Sequence, residues 1–268
     1  MNSKVVILEV VKNIEESYLK ALELLEMDEK IQGYNNDVLI KVGIYDHKTS
    51  AHTTVDLTST LTKQFKNAKN VYLIESDNYK GSALERLQIW KDLFNDKVHP
   101  YDLSDITKSK IIEIARQEMK LPDILFKKSF FVSTHVLRHS QSASVIKNLF
   151  GLIPTRKKVQ YHKTLKYVLV DLYKAIGGVD LAVIDGTYLF YSEKNIMKKK
   201  IRTNIIIVSN DIVAADTVGA YLADLNLENV PIIQEAMKNG IGQGDLNKID
   251  IIGSELEVVR RKIKEQIA

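Results

Sequence analysis

No cysteine occurs among the 268 residues. Disulfides, thiolate zinc sites, iron–sulfur clusters held by this chain and a cysteine nucleophile are thereby excluded. No run approaches the roughly 20 apolar residues that a membrane span needs. The first apolar run, 5–8, closes on Glu9 and is too short for a signal peptide. A cytoplasmic protein with no membrane attachment is the expectation. A strong charge of either sign is also missing: the net charge of +4 does not by itself require a nucleic acid. There is no repeat, low-complexity tract or clear linker. The glycine-rich stretch Gly240-Ile241-Gly242-Gln243-Gly244 follows a predicted helix and lacks the Lys-Ser/Thr of a phosphate loop, so it reads as a turn.

What is present is the composition of a soluble globular protein, 45% hydrophobic and 27% charged. The length is near the upper size for one hydrophobic core. Apolar runs predict strands at about 5–10, 38–44, 70–75, 98–103, 130–134, 180–186, 203–208 and 249–252. Amphipathic stretches predict helices at about 15–29, 54–65, 83–94, 111–119, 165–176, 211–225, 232–238 and 255–266. Thr53 or Thr54 is placed to cap the second helix, and Ser209 or Asn210 that over 211–225. The run 38–44 is apolar on both faces, as in a sheet covered on both sides. The alternation predicts an α/β fold: a mainly parallel or mixed sheet with helices on both faces. We expect a single domain over 1–268, with a division into two lobes near residue 125 left open.

Chemistry concentrates between Ser133 and Lys163, which holds three of the six histidines. His135 follows an apolar run, where a strand's carboxyl end meets a ligand crevice. If the next residues wind as a helix, His135 and His139 share one face at i and i+4, a spacing that can chelate a metal. His135 alone also suits anion binding or proton transfer. Lys147 lies among Val145, Ile146, Leu149 and Phe150. Desolvated, it would be a base or an amine nucleophile; otherwise it snorkels to water. Arg156-Lys157-Lys158, with His162, Lys163 and Lys166, can hold phosphate or carboxylate. For Lys157 and Lys158 a solvated basic face is the preferred reading.

The stretch Thr49-Ser50-Ala51-His52-Thr53-Thr54, with His47 just before it, offers either an anion site at a helix start or simple capping by Thr53 and Thr54. Glu75-Ser76-Asp77 and Asp185 fall at predicted strand ends, as ligand-binding acids do. Asp216 sits among apolar neighbours and needs a partner, Lys41 or a backbone amide.

An ordered set of segments resembles one family, that of domain of unknown function 362. Val38 to Val42 with Lys41 resembles its opening strand, and Thr53-Thr54 its helix start. Val71 to Glu75 resembles its strand ending in Glu-Ser. Thr134-His135 and Lys147-Asn148-Leu149-Phe150-Gly151 resemble its central signature. His162, Val170-Asp171-Leu172, Leu181 to Gly186 and Asp211 to Asp216 complete the order. Many relatives carry a cysteine-rich ferredoxin-like segment, and this chain has none. Where a glycine-rich stretch usually follows the Asp-Gly strand, this chain has the lysine-rich segment 188–202.

Together these features predict an enzyme that binds a small anionic substrate in a His/Lys-lined cleft. His135, Lys147 and His162 are the candidate catalytic residues. Thr53, Thr54, Glu75, Asn148, Arg156 and Asp185 are the candidate substrate contacts. A divalent metal held by His135, His139 and His162 is a candidate cofactor. The alternative is a non-catalytic module using the basic segments 156–166 and 198–202 on an acidic partner or RNA, with nucleic acid not favoured.

Overall fold

The computed structural model describes residues 3–141, 143–193 and 196–267. In chain order its elements are β1 (Ser3–Glu9), α1 (Ile14–Leu24), α2 (Asp28–Gln32), β2 (Asp37–Lys41), α3 (Val55–Gln64), β3 (Val71–Glu75), α4 (Ala83–Leu87), β4 (Val98–Asp102), β5 (Ser109–Ile114), β6 (Gln117–Pro122) and β7 (Ser129–Arg138). There follow α5 (Val145–Asn148), α6 (Leu165–Ala175), β8 (Leu181–Glu193), β9 (Ile196–Ser209), α7 (Ile212–Leu222), α8 (Pro231–Lys238), β10 (Ile249–Gly253) and α9 (Leu256–Ile267).

Eight strands form one sheet in the order β10-β1-β9-β8-β7-β2-β3-β4. β9 alone runs against its neighbours, β1 and β8; the other pairings are parallel. Both faces are buried because successive side chains of apolar strands point to opposite sides. Val38, Ile40 and Val132 pack under α1, α3 and Trp90 on one face. Leu39, Phe131 and Ile184 face α5 to α9 on the other. Residues before and after 125 share this one sheet, since β7 hydrogen-bonds directly to β2. No described helix is long and apolar enough to cross a membrane.

The predicted α/β architecture is observed, with local corrections. The stretch 111–119 is not a helix but most of the β5–β6 hairpin, turned by Ala115 and Arg116 at positive φ. The Asp171 carboxylate accepts the Ala115 amide and anchors that turn to α6. Leu121 and Met119 bury on the same side, so tertiary packing overrides a helix-compatible pattern. The predicted helix 15–29 breaks into α1 and α2 at Glu26, whose φ is 58°. The cap of α7 is Asp211, not Ser209 or Asn210: it accepts the amides of Val213 and Ala214 at 2.8 and 3.0 Å. β7 continues past Thr134 to Arg138, and β8 and β9 extend as a hairpin arm. Of the basic segment 188–202, Lys194 and Asn195 lie outside the described residues, as do Met1 and Asn2.

Candidate functional site

From β2 the chain steps outward through β3 to β4, then returns to β7 on the other side of β2 and steps to β8. The connections therefore diverge between β2 and β7. In parallel sheets a crevice opens at the carboxyl ends of the strands at such a switch point. Here it is a cavity of about 430 Å³, with Lys41, Glu75 and His135 from three adjacent strands on its wall. Segment 143–162 closes it.

Its base is a buried polar network. Lys41 Nζ donates to Glu75 Oε2 at 2.9 Å and to Asn148 Oδ1 at 3.0 Å. Asn148 Nδ2 donates back to the Lys41 and Thr134 carbonyls at 2.7 and 3.0 Å. Arg86, fully buried, lies 3.4 Å from the same Glu75 oxygen. Burial lowers the Lys41 pKa and the Glu75 carboxylate opposes that shift. Gly151 is required here, because a Cβ would collide with the Lys41 side chain and lie 2.5 Å from Glu75 Oε1.

The short helix α5 cannot hold itself in place, since one turn leaves its first amides without partners. Asp216, reaching across from α7, supplies them: its carboxylate accepts the Ser144, Val145 and Ile146 amides at 2.8, 3.0 and 2.7 Å. This fixes Lys147 at the cavity wall. Lys147 is half-buried, and burial together with Arg138 lowers its pKa. Neither Lys147 nor Arg138 has a hydrogen-bond or carboxylate partner among the described residues. Among the described residues five lysine and arginine side chains, two histidines and one carboxylate, Glu75, line the cavity, and that carboxylate is already taken by Lys41 and Arg86. The net field inside favours an anion.

His135 is buried, with its pKa held well below the usual imidazole value by burial and by Arg138, Lys41 and Lys147. Its Nδ1 accepts the Val136 amide at 2.7 Å, so the neutral ring carries its proton on Nε2. No described residue takes that proton. Gly43 packs on the ring; a Cβ there would lie 2.5 Å from His135 Cγ. His162 stands at the mouth, its ring 5.7 Å from that of Phe150. Burial and Lys147 lower its pKa.

Lys158 is the residue the sequence misjudged. It is buried rather than solvated, and its Nζ donates to Ser76 Oγ at 2.6 Å and the Asp77 carbonyl at 2.9 Å. Burial pulls its pKa down to about 8. Arg156 stays exposed and pairs with Asp77 at 2.9 Å. Both line the cavity.

The sequence profile described as Domain of unknown function (DUF362) matches residues 38–221. The chain belongs to this family. The DUF362 span includes every basic residue on the cavity wall, from Lys41 to Lys158. Neither the curated proteins nor the solved structures contain a match to the chain.

Within the DUF362 fold the predicted site residues separate into two groups. Glu75, His135, Lys147, Asn148, Arg156 and His162 all line the cavity. Thr53, Thr54 and Asp185 do not. Asp185 Oδ2 accepts the Thr54 amide and hydroxyl at 2.8 and 2.7 Å, so the start of α3 is already filled by a side chain of this protein. Thr53 Oγ1 donates to the Thr134 carbonyl and ties α3 to β7.

The helical pairing expected of His135 and His139 is not observed. β7 is extended through His135, so a residue four positions on lies about 13 Å away, not one helical turn. His139 Nδ1 bonds the Ser192 carbonyl at 2.7 Å and its ring stacks on Tyr191. Among the described residues no three His, Asp or Glu side chains gather to hold a metal ion. Arg138 and Arg86 were not predicted, and Lys158 was expected on a solvated face. Arg138 differs little in sequence from a surface arginine, and Arg86 sits on a helix that reads as amphipathic.

Proposed function

We propose that this DUF362 protein is an enzyme acting on a small anionic molecule in the cavity between β2 and β7. The observation that carries the reading is the pair Arg138 and Lys147, which face the cavity with no acidic partner among the described residues. Partly buried cations left unpaired are costly, so their retention is explained by a ligand that completes them. Charge-assisted bonds to phosphate or carboxylate are worth about 1.5–3 kcal/mol each. His135 Nε2–H donates to a ligand oxygen or to charge that develops on it. Lys147 and His162, both on the cavity wall and both with lowered basicity, are the groups placed to move a proton. The Lys41–Glu75–Asn148 network holds the floor rigid.

Native mass spectrometry of protein purified in volatile buffer tests the binding, followed by incubation with small phosphates and carboxylates. The expected result is an anion retained by the wild type and lost in Arg138→Gln and Lys147→Ala, with turnover abolished in His135→Gln. Wild-type protein that neither retains nor takes up an anion would refute the proposal.

A further inference from the structure

The cavity is graded from base to mouth. Lys41, His135 and Lys158 at its base are 1%, 7% and 8% exposed. Tyr45, Tyr79 and Val159 on its wall are 53%, 63% and 56% exposed. Single exposed apolar side chains need no explanation, but three around one opening above a cationic base do. Tyr45 follows β2 and Tyr79 follows β3. Asn78, itself buried, joins their loops by donating Nδ2 to the Tyr45 carbonyl at 2.9 Å. Lys80 and Asp46 pair across the same loops at 3.4 Å. The two rings are thus carried on a braced rim, and neither hydroxyl has a partner among the described residues. Phe150 and His162 add a second pair of rings, tilted by 34°. The volume of about 430 Å³ exceeds what a bare oxyanion fills and is within the range of sites for larger ligands.

From this grading we infer that the ligand is an amphiphilic anion: a phosphate or carboxylate seated among Arg138, Lys147 and Lys158, joined to a planar aromatic ring that packs against Tyr45 and Tyr79. This rests on the anion-binding reading above and names the class of molecule. The head is recognised by charge-assisted hydrogen bonds. The ring is recognised by offset or edge contacts with the tyrosines, which reward a planar π-system beyond its area.

The experiment is a calorimetric or NMR titration of the whole chain with matched probes: orthophosphate against phenyl phosphate, acetate against phenylacetate, and cyclohexylacetate as the non-planar control. Tyr45→Ala, Tyr79→Ala and the double variant are titrated alongside; both positions are exposed, so the fold should tolerate them. The expected result is that the aryl member of one pair binds roughly tenfold or more tighter than its bare head. That gain should shrink in each single variant and vanish in the double variant, with bare-head affinity unchanged. Which pair responds identifies the head as phosphate or carboxylate. Equal affinities within both pairs, a cyclohexyl gain as large as the phenyl gain, or a phenyl gain that survives the double variant would overturn the inference while leaving the anion reading standing. If no probe binds, the anion reading falls and this inference with it.

Discussion

The Lys41 ammonium and the Glu75 carboxylate meet at 2.9 Å across neighbouring parallel strands, each almost wholly buried. The pair sets the floor of the cavity, and Arg86 shares its carboxylate. Glu75→Gln would leave two buried cations without a counter-charge. Breaking a buried pair on one side costs about 3–5 kcal/mol. Urea unfolding should show a midpoint lowered to match with an unchanged slope. A loss below about 1 kcal/mol would mean that water reaches the pair.

Asp216 provides a pH signature. Burial pushes its carboxyl up to about 6, from 3.8, against the three amides that favour the anion. The folded state therefore binds the proton more tightly than the unfolded chain. Stability from this group is complete below about pH 4 and is lost as pH rises through about 6, over a range of up to about 3 kcal/mol. Asp216→Asn cannot titrate. The stability difference between wild type and this variant should move in the wild type's favour as pH falls from 6 to 4. A difference that is flat with pH would contradict the assignment.

Lys158 should make anion binding depend on pH. With its pKa lowered to about 8 by burial, it is charged below that pH and neutral above it. Sulfate, whose own charge is constant in this range, should bind best below pH 8 and weaken as pH rises through it. Lys158→Met should bind sulfate weakly and without that inflection. Competitive acetylation followed by peptide mass spectrometry should place the reactivity midpoint of Lys158 near the same pH, and bound sulfate should suppress labelling.

Lys147→Met should separate stability from function. The cation is half-buried beside Arg138 with no acid among the described residues to offset it, so a hydrophobic side chain of similar length should raise stability by about 1 kcal/mol. Sulfate affinity should fall by roughly tenfold, which is about 1.4 kcal/mol. Thermal unfolding and calorimetry on one preparation read both effects. Simultaneous loss of stability and of binding would show that Lys147 is structural.

Much of the sheet could be read directly. Runs such as Val71-Tyr72-Leu73-Ile74 and Leu181-Ala182-Val183-Ile184 are apolar on both faces and have few alternatives to buried strands. The hairpin at 109–122 could not, because Ile111, Ile112, Ile114 and Met119 fit helical spacing as well as strand spacing, and only packing against α6 decides. Lys147, Asn148 and His135 stood out because ionisable or amide groups lay within apolar surroundings. Lys158 did not, because its local sequence, Arg156-Lys157-Lys158, is that of a solvated basic face. Its burial depends on Ser76 and Asp77, some eighty residues away.

Composition and periodicity by themselves determined the α/β class, the absence of thiol chemistry, and the segment where functional groups crowd. These are local properties, set by side-chain volume, hydrophobicity and the repeat of the backbone. The tertiary structure alone decided which charges are compensated. Asp185 is consumed by Thr54, Glu75 by Lys41 and Arg86, and Asp77 by Arg156, whereas Arg138 and Lys147 face the cavity with no counter-charge among the described residues. Compensation is a distance between groups brought together by strand order, and a linear sequence does not contain that distance.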